Sequence, residues 1–289
     1  HAAFTNNPKP SFRASFSDAL AALDISSLTL SVDGSTIPAM LQGGTPGQLT
    51  WLPAPPLPLN LYAHSMLFSG GYLYTLGGLV GPNFSPAVAF SKISSTGAPG
   101  GWATPASLPP GTGPALMGAA TVGNRLYVIG GNPNGTSVRF AAPQPNGHIL
   151  SWSSGPDLPT SVKSLQGVAV DAAGSYLYAI GGQEQDPGNV HRREVYYSPV
   201  DGPTGIPGAW RPTQPLPVPL AAAASCVWNG RIYILGGYSV GDVPRAQVLS
   251  ATVGATGTLG PWQTELSLEI PTYGAKAVAV GGRLFFMGG

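Results

Sequence analysis

The residues of this chain most able to meet a polar ligand are crowded into one stretch. Between Gly182 and Glu194 the sequence runs Gln183-Glu184-Gln185-Asp186, then, after Val190, His191-Arg192-Arg193. Charged residues are only 9% of the 289, so a segment holding Glu184, Asp186, Arg192 and Arg193 concentrates what the rest of the surface lacks. A charged loop raised on a rigid scaffold is where binding usually resides; the plain alternative is a solvated loop whose charges offset one another. A second set is spread along the chain: Tyr62 and His64, Asn132 and Asn134, Lys163 and Gln166, Tyr238, Asp242 and Arg245, then Tyr273 and Lys276. Tyr62, Tyr238 and Tyr273 could form an aromatic floor on which a sugar stacks. Metal chemistry is not expected, because His1, His64, His148 and His191 fall at unrelated positions and Cys226 is the sole cysteine, set among small apolar residues as a core thiol would be. No phosphate loop, nucleophile elbow or Asp-rich calcium loop is present, and no cofactor is expected.

These residues need elements to hold them, and a repeat supplies them. An aromatic residue, two further residues and a glycine pair recur at Tyr74-Thr75-Leu76-Gly77-Gly78, Tyr127-Val128-Ile129-Gly130-Gly131, Tyr178-Ala179-Ile180-Gly181-Gly182, Tyr233-Ile234-Leu235-Gly236-Gly237 and Phe285-Phe286-Met287-Gly288-Gly289. Successive pairs lie 53, 51, 55 and 52 residues apart, too regular for chance. In phase with them, Trp51, Trp102, Trp152, Trp210 and Trp262 each precede a leucine by six residues (Leu57, Leu108, Leu158, Leu216, Leu268), and proline follows the first four leucines. Each repeat reads as four strands. Strand a is a small apolar run such as Ala221 to Trp228; a tight turn such as Asn229-Gly230 follows; strand b ends on the glycine pair; strand c and a strand d carrying the tryptophan complete the unit. Strands a and c run together while b and d return, so the b–c and d–a loops share one face, and the candidate residues above fall on it.

At these residues the sequence resembles the kelch-repeat family, in particular its bacterial extracellular kind, over residues 35–289. The resemblance implies an all-β, kelch-type β-propeller: four-stranded blades arranged about a central channel. Five blades are counted, where members usually have six or seven; a chain that continues past residue 289 would supply six or more. Residues 272–289 hold only strands a and b of the last blade. Ile37 to Leu41 and Gly47 to Trp51 resemble strands c and d, so the N-terminal strands are expected to close that blade and leave no free edge. The family hosts binding modules, adaptors, a sialic acid mutarotase and a copper oxidase. A mutarotase would use Glu184, His191 and Arg192 near the channel mouth, whereas a copper oxidase would need a tyrosine–cysteine crosslink that Cys226 is poorly placed to make.

Residues 1–34 read as a separate N-terminal extension, whose Leu28, Leu30 and Val32 alternate with Thr29, Ser31 and Asp33 as in a half-buried strand. It resembles the opening of bacterial Ig-like modules, and residues 11–34 are either a tail on the propeller or a donor strand for self-association. A net charge of +1 without a basic run excludes an electrostatic footprint for nucleic acid. The apolar stretches are strand-sized and broken by glycine, so membrane insertion is not expected. A surface of neutral polar residues suits a secreted or cell-surface protein, with His1 then a processed or engineered end. The expected function is a non-catalytic extracellular binding or structural module that presents its loop face to a protein or glycan. The alternative is a carbohydrate-active enzyme on the same face.

Overall fold

The computed structural model describes residues 29–32, 35–40, 50–51, 55–95, 97–171, 174–184, 190–280 and 283–289, and among them there are strands and turns but no helix. Each repeat folds as one antiparallel sheet in the order a-b-c-d. The first comprises Ser65–Ser69, Tyr72–Leu76, Ala87–Lys92 and Ala103–Ser107. The second comprises Gly118–Val122, Arg125–Ile129, Val138–Ala141 and Ser153–Ser154. The third comprises Gln166–Asp171, Ser175–Ile180, Val195–Val200 and Arg211–Pro212. The fourth comprises Ala224–Trp228, Arg231–Leu235, Val248–Thr252 and Gln263–Thr264. Among the described residues a fifth sheet contains Lys276–Val280 and Arg283–Met287.

The composition of each strand follows from what covers it. Strand b lies between two neighbouring sheets, so it is apolar on both faces, and Leu73, Tyr74 and Leu76 of the first sheet and Leu126 to Ile129 of the second are buried. Tyr74, Leu76 and Phe90 of sheet 1 pack with Leu126 and Val128 of sheet 2. Tyr127 and Ile129 pack with Leu177 and Trp210 of sheet 3, and Tyr178 and Ile180 with Ile232 and Ile234 of sheet 4. Strand a stands nearest the axis, where the sheets converge and small residues allow the closest approaches. A Cβ on Gly118 would sit 2.7 Å from the Gly167 nitrogen of the next inner strand. The expected all-β propeller is therefore present, with inner strands of all five sheets lining one channel.

The repeated residues are the ties between sheets. The second glycine of each of the first four pairs donates its N–H to a carbonyl of the following repeat: Gly78 to Pro114, Gly131 to Val162, Gly182 to Leu220 and Gly237 to Thr272. The first glycine is required for that approach, since a Cβ on Gly77 would lie 2.1 Å from the Pro114 oxygen and one on Gly236 2.3 Å from that of Thr272. Tyr74, Tyr127 and Tyr178 donate their hydroxyls to the carbonyls of Gly147, Gly205 and Gly257, in the c–d turn one sheet ahead. Trp102, Trp210 and Trp262 donate their indole N–H to Pro55, Pro156 and Gln214 carbonyls. Trp152 has no such partner.

One expectation is corrected. Thr29–Val32, Ser35–Met40 and Thr50–Trp51 form their own antiparallel sheet. Met40 pairs with Thr50 and Met287 with Lys276, in different sheets. The reason is an occupied edge: Ser35–Met40 is the middle strand, and the edge that would have met Arg283–Met287 is paired with Thr29–Val32 across two residues, Asp33-Gly34. The same pairing joins the chain on both sides of the 34/35 boundary read from the sequence. In residues 11–34, all but 29–32 lie outside the described residues, as does Asp186.

Candidate functional site at the channel mouth

The face that gathers the b–c and d–a loops is built from a strained, repeated backbone. Immediately before each inner strand one residue adopts a left-handed conformation: Ala63 (φ 55°), Leu116 (56°), Ser164 (54°), Ala222 (48°) and, in the fifth repeat, Gly274 (74°). Non-glycine residues rarely hold such angles, at a cost of about 1–2 kcal/mol each. Here the cost is offset by a chain of backbone hydrogen bonds around the mouth. Leu116 donates to the Ala63 carbonyl, Ser164 to Leu116, Ala222 to Ser164, and Gly274 to Ala222. Equivalent residues of successive repeats are thus linked head to tail, which fixes the rim.

Inside this rim the mouth is a cavity of about 320 Å³ lined by Tyr62, His64, Ser164, Gln166 and Lys276 among others. It leads into the channel proper, about 240 Å³, where Ser65 and Met66 face Gln166, Ser225 and Lys276. The Ser225 hydroxyl donates to Gln166 Oε1 at 3.1 Å. A separate cavity on the opposite rim, lined by Arg125, Tyr127 and Gly205, holds none of the candidate residues.

The structure divides the predicted residues into three groups. Tyr62, His64 and Gln166 line the mouth; His64 is buried, and the half-exposed Tyr62 ties its hydroxyl to the Gly81 carbonyl. His191, Tyr238 and Tyr273 come together from three successive repeats, their rings edge to face at 5.2 and 5.3 Å. His191 Nε2 lies 3.5 Å from the Asp242 carboxylate, and the Tyr238 hydroxyl donates to Gln183 Oε1 at 3.4 Å. Burial raises the Tyr238 pKa, and the nearby Asp242 charge adds to the effect. In the third group Arg192 pairs with Glu184 and lies 3.8 Å from Glu194, so among the described residues of the charged loop it is matched by carboxylates, while the buried Nε atoms of Arg192 and Arg245 have no partner. Arg193 and Arg245 use their backbone N–H groups locally, on the Glu194 carboxylate and the Gly237 carbonyl. Lys163 sits in a two-residue ladder with Gln183–Glu184.

One feature escaped the sequence reading, and a second was read only in part. The first is the apolar crest of the face. The b–c loops of the first and fourth sheets are small hairpins, Leu79–Val80 with Asn83–Phe84 and Tyr238–Ser239 with Val243–Pro244. Their tips expose Phe84 (44%) and Val240 (67%), and Ile270 on a d–a loop is 71% exposed. Loop apolar residues break no pattern in the sequence, so only their convergence on one face marks them. The other is Lys276, legible as a polar residue of this face but not as part of the channel wall.

No family model matches the chain. It is similar to kelch-like protein terF of Aspergillus terreus, 26% identical over 254 residues that make up 83% of this chain and 52% of that protein. It is also similar to the kelch repeat and BTB domain-containing protein 12 of Danio rerio, 28% identical over 136 residues, 45% of this chain and 21% of that one. Beta-scruin of Limulus polyphemus shares 22% identity over 187 residues, 61% and 19% of the two chains. The chain spans about half or less of the length of these relatives. Among solved structures YjhT superposes with a TM-score of 0.61 at 18% identity, covering 81% of this chain and 73% of that one, a likeness of fold.

Proposed function

Starting from a chain of kelch repeats folded as a β-propeller, we propose that it is a non-catalytic binding module whose loop face engages a protein partner. The observation that carries this reading is the apolar crest around the channel mouth. Phe84, Val240 and Ile270 stand exposed on b–c and d–a loops of the face whose inner rim is fixed by repeat-to-repeat hydrogen bonds. Apolar tips on a rigid polar frame are the surface expected of an interaction site, because water gains when a partner covers them and little conformational entropy is lost. The Glu184–Arg192 pair supports a binding role over an acid–base one, since each group already holds its counter-charge.

The second reading, a carbohydrate-active site, rests on the His191–Tyr238–Tyr273 cluster with Asp242 at its edge. The experiment separates the two. A peptide-display selection against the full chain should enrich ligands that are lost in the Phe84→Asp, Val240→Asp double variant while its melting temperature stays within a few degrees. Saturable binding on a glycan array with chemical turnover, lost in His191→Ala and retained in the double variant, would replace the protein-binding reading. An extracellular location belongs to the same proposal and is supported by the scarcity of charge; recovery from the cytosolic fraction of the source cells would overturn it.

A further inference from the structure

The five inner strands are in register with one another, and this exposes an irregularity. In each sheet one residue of strand a pairs with the last residue of strand b before the glycine pair: Ser65 with Leu76, Gly118 with Ile129, Gln166 with Ile180, Ala224 with Leu235 and Lys276 with Met287. Four repeats place a neutral residue at this level of the axis, and the fifth places an ammonium. Lys276 lines both the channel and its mouth, its side chain open to the lumen, yet enough protein surrounds it that desolvation lowers its pKa. Among the described residues no Asp or Glu lines either cavity. A cation in such a place, without a counter-ion, is costly to the protein and becomes favourable once an anion joins it.

We infer that the channel is a binding site for a small free monocarboxylate, with Lys276 as its counter-ion, Gln166 and Ser225 as neutral hydrogen-bonding partners, and the loop face as its entrance. The charge count selects the class. A single ammonium among amide and hydroxyl groups balances one negative charge, and a phosphate dianion would carry a second, uncompensated charge into a partly desolvated space. The wall also carries the apolar side chains of Met66, Met117, Leu165 and Ala277, beside the Ser65 hydroxyl and bare backbone at Gly118 and Gly167, so the carboxylate should be attached to a carbon skeleton that can meet them. This site does not depend on the loop-crest reading, because its residues are on the inner strands.

The chain has four lysines, Lys9, Lys92, Lys163 and Lys276, few enough for each to be resolved by NMR after reductive ¹³C-dimethylation, which keeps the charge. The full chain is titrated with acetate, hexanoate, benzoate and gluconate, with benzamide as the uncharged match and inorganic phosphate as the dianion. The expected result is a saturable shift of the Lys276 signal alone with at least one carboxylate, accompanied by a rise in its pKa. Binding should be at least about tenfold weaker to the amide, to phosphate and in Lys276→Met, and largely kept in Lys276→Arg. Perturbation of Lys92 and Lys163 in parallel with Lys276, or equal response to phosphate, means non-specific ion association and overturns the proposal. So does a Lys276 signal that no carboxylate moves. The ligand titrations use the chain of native sequence, dimethylated on its lysines, so a variant that fails to fold leaves their outcome intact.

Discussion

At the scale of single residues, the glycine pairs show how one atom decides a junction. Gly77 and Gly236 face a carbonyl of the next repeat, whereas Gly288, the corresponding residue of the fifth, has nothing among the described residues within 4 Å of where its Cβ would be. Gly77→Ala therefore combines left-handed strain with a collision and should cost roughly 3 kcal/mol. Gly288→Ala carries only the strain of its φ of 75°, about 1 kcal/mol. Urea denaturation of the two variants checks the difference, and equal losses would mean that the approach at Gly77 is not what the pair is for. The buried Cys226 and Tyr74 give a pH dependence. Burial pushes the thiol from 9.0 up to about 12 and the phenol from 10.0 up to about 12. Both favour the neutral form when folded, so their contribution is fully present below pH 9 and is lost as pH rises from about 9 toward 12. The melting temperature should be flat from neutral pH to 9 and fall above it. Cys226 should resist iodoacetamide at pH 8.5 in the folded chain and react on unfolding.

At the scale of the element, strand d is short, only two residues in sheets 2, 3 and 4. Too few ladder bonds remain to hold such a strand alone, so the tryptophan beside it does part of that task. Trp210 is buried and bonded to the Pro156 carbonyl, whereas the Trp152 indole N–H is buried without a partner. Replacing each by phenylalanine should thus be unequal. Trp210→Phe strands a carbonyl and should cost about 1–3 kcal/mol beyond the change in packing; Trp152→Phe removes an unsatisfied donor and should cost less. Chemical denaturation of the pair, with the reverse order as the contrary result, decides it. The tryptophan periodicity was plain in the sequence, but the missing partner at one of its copies was not, because the acceptor comes from the repeat before.

At the scale of the whole molecule, junctions are repeated and the last one is not. Sheets 1 to 5 are joined by glycine-pair and rim hydrogen bonds, while no corresponding bond links the fifth sheet to the first among the described residues. Tyr233, the fourth tyrosine of the series, meets no c–d turn of the fifth sheet among the described residues, where that sheet has two strands. Leu284 to Met287 are only half-buried, unlike strand b of the other sheets. Hydrogen exchange should therefore be fastest in Lys276–Val280 and Arg283–Met287 and slowest in strands b of sheets 2 and 3. Uniform protection across the five sheets would show that the fifth is as well held as the rest.

The sequence by itself determined the unit: a glycine pair, a tyrosine and a tryptophan at a near-constant interval specify one four-stranded sheet per repeat, because each residue type answers a local need of backbone angle, turn or packing. It also placed Tyr62, His64, Gln166, His191, Tyr238 and Tyr273 on one face, since strand direction alternates predictably. Tertiary structure decided which of them meet. The Glu184–Arg192 pairing, the edge-to-face contact of His191 with Tyr238 and the place of Lys276 in the channel wall all depend on distances between repeats, which no spacing along the chain encodes. The partner of Ser35–Met40 was decided there too, for two strands could take its edge and the adjacent Thr29–Val32, needing the least loop closure, took it.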